Sequence, residues 1–106
     1  MVIVMSNKKK SPVLFPKYQT SLNQLGENIK LAAKRRKITQ TLLSQRTGIS
    51  RVTIRKMMHG DPAVAIGYYV MILGVLGLEQ DFKYVAKDDE LGRKLQDIAL
   101  LRGKQS

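Results

Sequence analysis

Two short stretches of helix-forming residues flank the turn Gly48-Ile49-Ser50, and this arrangement constrains the fold more than any other feature of the sequence. Thr39 can cap the start of the first stretch by accepting a backbone hydrogen bond. Gly48 can adopt the left-handed backbone with which many helices end. Ser50 can cap the second stretch, which we expect to run from Arg51 to about His59. Ile49 is then a single apolar residue placed to hold the two helices together.

The second of these helices is predicted to have two chemically different faces. Ile54, with Met57 or Met58, should point inward, and Gly60 should close the helix. The outward face carries basic residues from its first turn onward: Arg51, Val52, Arg55 and Lys56. Two capped helices joined by a tight turn, the second with an exposed basic face, are what a helix-turn-helix needs to enter the major groove of DNA.

The positive charge of the chain is concentrated in its first half. Residues 1–60 contain 13 basic residues and one acidic residue, whereas residues 61–106 contain six basic and seven acidic residues. Such clustering indicates a polyanionic partner that contacts one part of the chain. Nucleic acid is the best candidate and an anionic membrane surface the second. A basic surface that only favours solubility is the remaining alternative.

Composition divides the chain into three parts. Residues 1–20, which include Lys8-Lys9-Lys10 and two prolines, lack a helical period and are predicted to form a flexible basic arm. Residues 21–86 are predicted to be a helical domain, whose first helix should run from Ser21 to Lys37. The cations at the end of that helix either complement the helix dipole or contact phosphate. Residues 87–106 form a charged tail.

The segment from Thr39 to Gly60 resembles the XRE, or phage-repressor-like, helix-turn-helix family. Residues of the family type stand at the offsets of the family pattern: Thr39, Gln40, Leu43, Gly48, Ile49, Ser50, Ile54 and Gly60. Two positions depart from the pattern. Ser44 stands where a small Ala is usual. Met58 stands where a Glu that pairs with the first helix is frequent, so the resemblance does not carry over that ion pair.

Four further segments resemble HipB-type antitoxins and related regulators encoded beside HipA-like kinases. They are Leu25-Gly26-Glu27-Asn28-Ile29-Lys30, Gly60-Asp61-Pro62-Ala63-Val64, Leu76-Gly77-Leu78 and residues 89–97. The resemblance implies an all-α fold, a five-helix phage-repressor-like bundle that dimerises on DNA. Composition and spacing add a basic N-terminal arm and a helical C-terminal tail.

The same resemblance implies roles for individual residues. Arg51, Val52 and Lys56 would face base edges, which suits the acceptors of guanine and the thymine methyl group. The phosphate contacts would come from Gln40, Ser50, Thr53, Arg55 and His59. Alternatives remain for three of these residues: Val52 could pack within the helix pair, Arg55 could be a solvated side chain, and His59 could bond the carbonyls at the end of its helix.

Nothing in the sequence predicts catalysis. The chain has no Cys and one His, which excludes disulfides, thiol catalysis and clusters of Cys or His ligands for a metal. The acidic residues form no recognisable acid–base pair, and the segment Gly74-Val75-Leu76-Gly77 lacks the lysine of a phosphate-binding loop. We therefore expect a non-enzyme without a metal or another cofactor.

The uncharged run Pro62–Leu78 is shorter than a membrane span and contains three glycines, so we interpret it as a buried helix from about Ala65 to Leu76. Because this helix is apolar on every side and the domain is small, its second face is predicted to meet another protomer. A heterologous partner is the alternative. The predicted interface residues are Tyr69, Met71, Ile72, Val75, Leu78 and Phe82.

The tail repeats apolar residues at helical spacing: Leu91, Leu95, Ile98 and Leu100 or Leu101. Such a helix either docks on its own domain or becomes ordered on a partner, which under the resemblance would be a kinase toxin. The resemblance as a whole implies a cytoplasmic, nucleoid-associated repressor and antitoxin that autoregulates its operon as a homodimer on a palindromic operator. A stand-alone phage-type regulator is the nearest alternative, and a basic RNA- or membrane-surface-binding protein is a more distant one.

Overall fold

The computed structural model describes residues 12–105, and this part of the chain contains helices and no strand. The part of the predicted arm that contains Lys8-Lys9-Lys10 lies outside the described residues. Five α-helices and one 3-10 helix follow one another: α1 (Pro16–Arg35), α2 (Gln40–Thr47), α3 (Arg51–Met58), α4 (Ile66–Leu76), the 3-10 helix (Glu79–Tyr84) and α5 (Glu90–Gln105). The all-α prediction is confirmed for these residues.

Helix α1 begins earlier than the sequence analysis predicts. It starts at Pro16 and not at Ser21, and it ends at Arg35, because Lys37 takes a left-handed backbone with φ 55°. A proline at the first helical position lacks only an N–H that would be unpaired there anyway, and its fixed φ suits the helix. Residues 16–20, which we predicted as part of the arm, therefore belong to α1.

The caps around the turn Gly48-Ile49-Ser50 are confirmed. The Thr39 side chain accepts a hydrogen bond from the Leu42 N–H at 3.1 Å, and the Ser50 side chain accepts one from the Thr53 N–H at 3.1 Å. Gly48 has φ 79°. Helices α2 and α3 therefore begin and end where their capping residues predict.

One apolar core joins α1, α2, α3 and α4, and α4 also packs on the 3-10 helix. Ile49 is buried in the turn, as predicted, and both Met57 and Met58 are buried beside Ile54 on the inner face of α3. The buried residues are Ile29, Ala32, Ala33, Leu43, Ile49, Ile54, Met57, Met58, Tyr69, Ile72, Leu73 and Leu76. The inner face of α3 is thus fixed by packing, which leaves its other face to solvent.

Helix α4 differs from its prediction in how its faces are used. Tyr69 and Ile72, predicted as interface residues, are 4% and 0% exposed and belong to the core of the protomer, so the interface prediction is wrong for these two residues. The apolar side chains that α4 exposes are Ile66, Tyr68, Val70 and Met71. Within residues 12–105, no helix combines the length and the apolar character that crossing a membrane would require.

Helix α5 confirms the helical pattern of the tail but does not pack on the bundle. The expectation that it docks on its own domain is therefore not met in this structure. All five of its large apolar side chains are between 46% and 68% exposed: Leu91, Leu95, Ile98, Leu100 and Leu101.

Gly26 lets α1 cross closely over the end of α3, and this contact generates the first prediction. A methyl carbon at Gly26 would lie 2.6 Å from the Met57 carbonyl oxygen and 2.7 Å from that of Met58. Gly26→Ala should therefore force α1 and α3 apart and lower the free energy of unfolding by about 1–3 kcal/mol, the usual cost of overpacking. Urea denaturation followed by circular dichroism measures this.

Gly67→Ala is the matched control, because a methyl group there meets nothing within 4 Å and Gly67 lies in an exposed part of α4. Its higher helix propensity should raise stability by about 0.5–1 kcal/mol. Equal effects from both substitutions would show that α1 and α3 do not approach each other at Gly26.

Tyr69 generates the second prediction. Its hydroxyl donates to the Asp61 carbonyl oxygen at 3.3 Å, and burial, with a smaller contribution from the Asp61 charge, raises the pKa of Tyr69. The unfolded chain then loses this proton at lower pH than the folded protein does. The stability that Tyr69 contributes is therefore complete below pH of about 10 and falls as pH rises from there to the folded pKa.

Tyr69→Phe should lower the free energy of unfolding by about 0.5–1.5 kcal/mol near neutral pH, because the substitution removes the hydrogen bond to Asp61. Because Phe has no hydroxyl to titrate, the variant should also be destabilised less than the wild type when the pH rises above about 10. Urea denaturation of both proteins on either side of pH ~10 tests the sign. If the difference between their free energies of unfolding does not change across this pH range, the pKa of Tyr69 is not raised by folding.

Candidate nucleic-acid interface

The outward face of α3 brings most of the predicted DNA-contacting residues to solvent. Arg51, Val52, Arg55 and Lys56 are all exposed, and Val52 is 54% exposed. The alternative in which Val52 packs within the helix pair is therefore not what the structure shows. An apolar side chain on an otherwise basic and polar helix face is suited to contact with a thymine methyl group.

The N-terminal end of α3 carries three further features of the site. The Ser50 side chain is exposed, and its hydroxyl donates to the Thr53 hydroxyl at 3.0 Å while accepting the capping bond from the Thr53 N–H. Thr53 is half-buried. The helix dipole at this end favours negative charge. Arg51, the first residue of α3, lies at the same end.

An open cavity beside α3 collects four of the predicted contact residues. Its volume is about 540 Å³. It is lined by Gln19, Val52, Arg55, Lys56, His59, Gly60, Asp61 and Pro62. The cavity joins residues predicted to face bases with residues predicted to face phosphate, so α3 presents them on one continuous surface. Arg51, Gln40, Ser50 and Thr53 do not line it.

Sequence reasoning missed Gln19 and Asp61 as neighbours of α3. The Gln19 side-chain amide donates to the Gly60 carbonyl oxygen at 2.7 Å, which ties the start of α1 to the end of α3. No sequence pattern signals this bond, because the two residues are 41 positions apart. The Asp61 carboxylate accepts from the Ala63 N–H at 2.8 Å and so serves the loop after α3.

His59 ends α3, and its ring nitrogen Nδ1 lies 2.8 Å from the Arg55 carbonyl oxygen. This is the alternative in which the imidazole bonds a carbonyl at the helix end. The side chain is nevertheless exposed and lines the cavity together with Arg55 and Lys56.

Gln40 lies in a second basic cavity, at the junction of α1 and α2. This cavity has a volume of about 370 Å³ and contains three lysines, Lys30, Lys34 and Lys37, together with the start of α2. The amide of Gln40 donates to the Met58 sulfur at 3.5 Å, and Gln40 is half-buried. Met58 thus occupies its position by packing, not by an ion pair with α1.

The cations of the first three helices are not neutralised by carboxylates. Within residues 12–105, the ion pair below 4.0 Å joins Arg93 and Asp88, far from α3 in the sequence. Arg36 makes a local hydrogen bond to the backbone. Its guanidinium donates to the Ala32 carbonyl oxygen at 3.0 Å and helps to end α1. A surface of uncompensated cations attracts a polyanion and makes its binding dependent on salt.

The remaining predicted interface residues are divided between two surfaces. Met71 lies on the outward face of α4, and Val75 is half-buried. Leu78 and Phe82 line an apolar groove of about 190 Å³ that also includes Leu25, Asn28, Ile29, Leu73, Asp81 and Val85. We call this the α1–α4 groove.

No protein-family model, curated protein or solved structure matches this chain.

The cap at Ser50 generates a prediction for the site. Ser50→Ala removes the acceptor of the Thr53 N–H and should lower the free energy of unfolding by about 1 kcal/mol. Ser50→Asn keeps an acceptor and should stay within a few tenths of a kcal/mol of the wild type. Thermal or urea denaturation measures both. Equal stability of all three proteins would mean that Ser50 does not cap α3.

Proposed function

We propose that this chain is a sequence-specific, double-stranded-DNA-binding transcriptional repressor that acts as a homodimer on a palindromic operator. The observation that carries the proposal is the outward face of α3. Arg51, Val52, Arg55 and Lys56 are exposed there, without carboxylate partners among the described residues, on a helix whose inner face is buried. The resemblance to the XRE family supports the same function.

In the proposed complex, α3 lies in the major groove. Arg51 and Lys56 donate to the O6 and N7 acceptors of guanine, and Val52 contacts a thymine methyl group. Ser50, Thr53, Arg55 and His59 lie beside the phosphates and hold the register of α3. Gln40 and its neighbouring lysines, Lys30, Lys34 and Lys37, extend the phosphate contact along the backbone.

The geometry of DNA supports the homodimer. One α3 helix reads only a few base pairs, and two such helices about 34 Å apart can read two half-sites on one side of the duplex. A two-fold axis places them in that way. Two apolar surfaces are available for the dimer: the outward face of α4, with Ile66, Tyr68, Val70 and Met71, and the α1–α4 groove.

The resemblance to HipB-type antitoxins extends the proposal to a second role. In this role the cytoplasmic repressor also holds a HipA-like kinase and represses the operon that encodes both proteins. Coexpression of the neighbouring genes with a tag on this chain alone tests it. A copurifying kinase-sized partner supports the antitoxin role, and its absence leaves a stand-alone regulator.

Selection of binding sites from random duplex DNA tests the repressor proposal. The wild type should enrich a palindromic motif at moderate salt. Arg51→Ala should lose about 1–3 kcal/mol on that motif and relax the preference at one position in each half-site. Quantitative gel shifts on variant duplexes measure both effects.

Lys83→Ala is the matched control, because it removes one positive charge from the 3-10 helix and not from α3. It should leave the motif unchanged. If the wild type enriches no motif, or if Arg51→Ala costs no more than Lys83→Ala on every sequence, the chain binds polyanions without sequence specificity. The RNA- or membrane-surface alternative then takes precedence.

A further inference from the structure

Two apolar surfaces of the protein are complementary and lack a partner in the monomer. One is the α1–α4 groove, whose apolar lining is Leu25, Ile29, Leu73, Leu78, Phe82 and Val85. The other is the stripe formed by Leu91, Leu95 and Ile98 on α5, which are 68%, 57% and 46% exposed. Residues at i, i+4 and i+7 lie on one side of a helix, so the stripe is continuous.

We propose that the α1–α4 groove is the docking site for α5 of a second copy of this chain, and that two copies exchange α5 reciprocally. An amphipathic helix laid with its apolar face in an apolar groove is a common mode of recognition. Reciprocal exchange fills both grooves around one two-fold axis and closes the assembly as a dimer. The inference rests on the proposed homodimer and names what holds it together.

The segment between the groove and α5 directs α5 away from its own bundle. Val85 is the last residue that lines the groove, and α5 begins at Glu90. Between them, Ala86 takes a left-handed backbone with φ 63°, a strained conformation for a residue with a side chain. Short connections under strain favour exchange between protomers over folding back.

The outward direction of this connection is also held by contacts. The Lys87 N–H donates to the Tyr84 carbonyl oxygen at 3.0 Å, and the Lys87 ammonium lies 5.0 Å from the centre of the Tyr84 ring. These contacts close the turn after the 3-10 helix. Because the turn is made within the protomer, α5 can extend away from the bundle while the Tyr84–Lys87 contacts stay intact. A second copy can then supply the groove for α5.

The charges beside the two surfaces agree with this occupant. Asp81 lies at the groove and is exposed, and Lys94 flanks the apolar stripe one helical turn from Leu91 and Ile98. A docked α5 would therefore place a cation near a carboxylate at the edge of an apolar contact. Leu100 lies on the opposite side of α5 and is 59% exposed, so it stays outside the proposed contact and provides a control.

Disulfide trapping tests the exchange without background, because the chain contains no Cys. Asn28→Cys and Val85→Cys each place a thiol at the groove, and both residues are exposed, so the bundle should still fold. Each is mixed with a longer, tagged Leu95→Cys chain and oxidised mildly. We expect a mixed dimer on a non-reducing gel, with several-fold more product than with the matched Leu100→Cys chain.

Three results would overturn the exchange. The first is that neither groove variant, Asn28→Cys or Val85→Cys, forms more mixed dimer with Leu95→Cys than with Leu100→Cys. The second is that two Leu95→Cys chains cross-link with each other in preference to either groove variant. This result would pair α5 with α5. The third is a double variant, Asn28→Cys with Leu95→Cys, that cross-links only within one chain, which would place α5 in its own groove.

Sedimentation of full-length variants gives an independent readout. Leu95→Glu should raise the dimer dissociation constant at least about tenfold, as expected for removal of a central apolar contact, and Leu100→Glu should leave it nearly unchanged. A dimer that survives Leu95→Glu but is lost in Met71→Glu would be held by α4, which contradicts the exchange and leaves the proposed repressor intact. Trapped exchange without sequence-specific DNA binding would contradict the repressor and leave the exchange intact.

Discussion

The burial of Ile49 in the turn between α2 and α3 is the contact on which the rest of the structure depends. Ile49 is 5% exposed and joins the core that Leu43 and Ile54 form on either side of the turn. With Gly48 ending α2 and Ser50 beginning α3, the direction of α3 is determined over three residues. Once Ile54 and its neighbours point into the core, the basic side chains of α3 have only solvent to face.

The predictable part of the fold is the part with local chemical signals. Thr39 and Ser50 cap their helices through their own side chains, and Gly48 has the backbone conformation that favours glycine. Caps and turns act over three or four residues, so a single sequence is enough to place them. The exposed face of α3 follows from the same pattern, because its helical period is fixed once both ends are known.

The unpredicted part depends on which neighbours are present. Pro16 lies in the segment predicted as a flexible arm, yet proline at the first helical position is well tolerated. Tyr69 and Ile72 were indistinguishable by composition from the outward residues of α4, because all of that helix is apolar. Its packing against α1, α2 and the 3-10 helix determines which side is buried. The Gln19–Gly60 bond likewise joins residues far apart in the sequence.

The basic cavities and the apolar surfaces of this molecule have different proposed partners. Two basic cavities lie beside Val52 and beside Gln40. Arg55 and Lys56 line the first, and Lys30, Lys34 and Lys37 line the second. The apolar surfaces that are available for a dimer lie on α4, in the α1–α4 groove and on α5. Because hydrophobic contacts are insensitive to the counterions that control DNA binding, a dimer held by the apolar surfaces would remain assembled while its DNA affinity changes with salt.

The most direct test of the central claim is the ratio of two affinities measured at one moderate salt concentration. One is for a selected palindromic duplex, and the other is for a random duplex of equal length. Sequence-specific recognition by α3 predicts that the selected duplex binds more tightly by a factor of about 10³ or more. Equal affinities for the two duplexes would contradict it, and the basic face of α3 would then bind polyanions through charge alone.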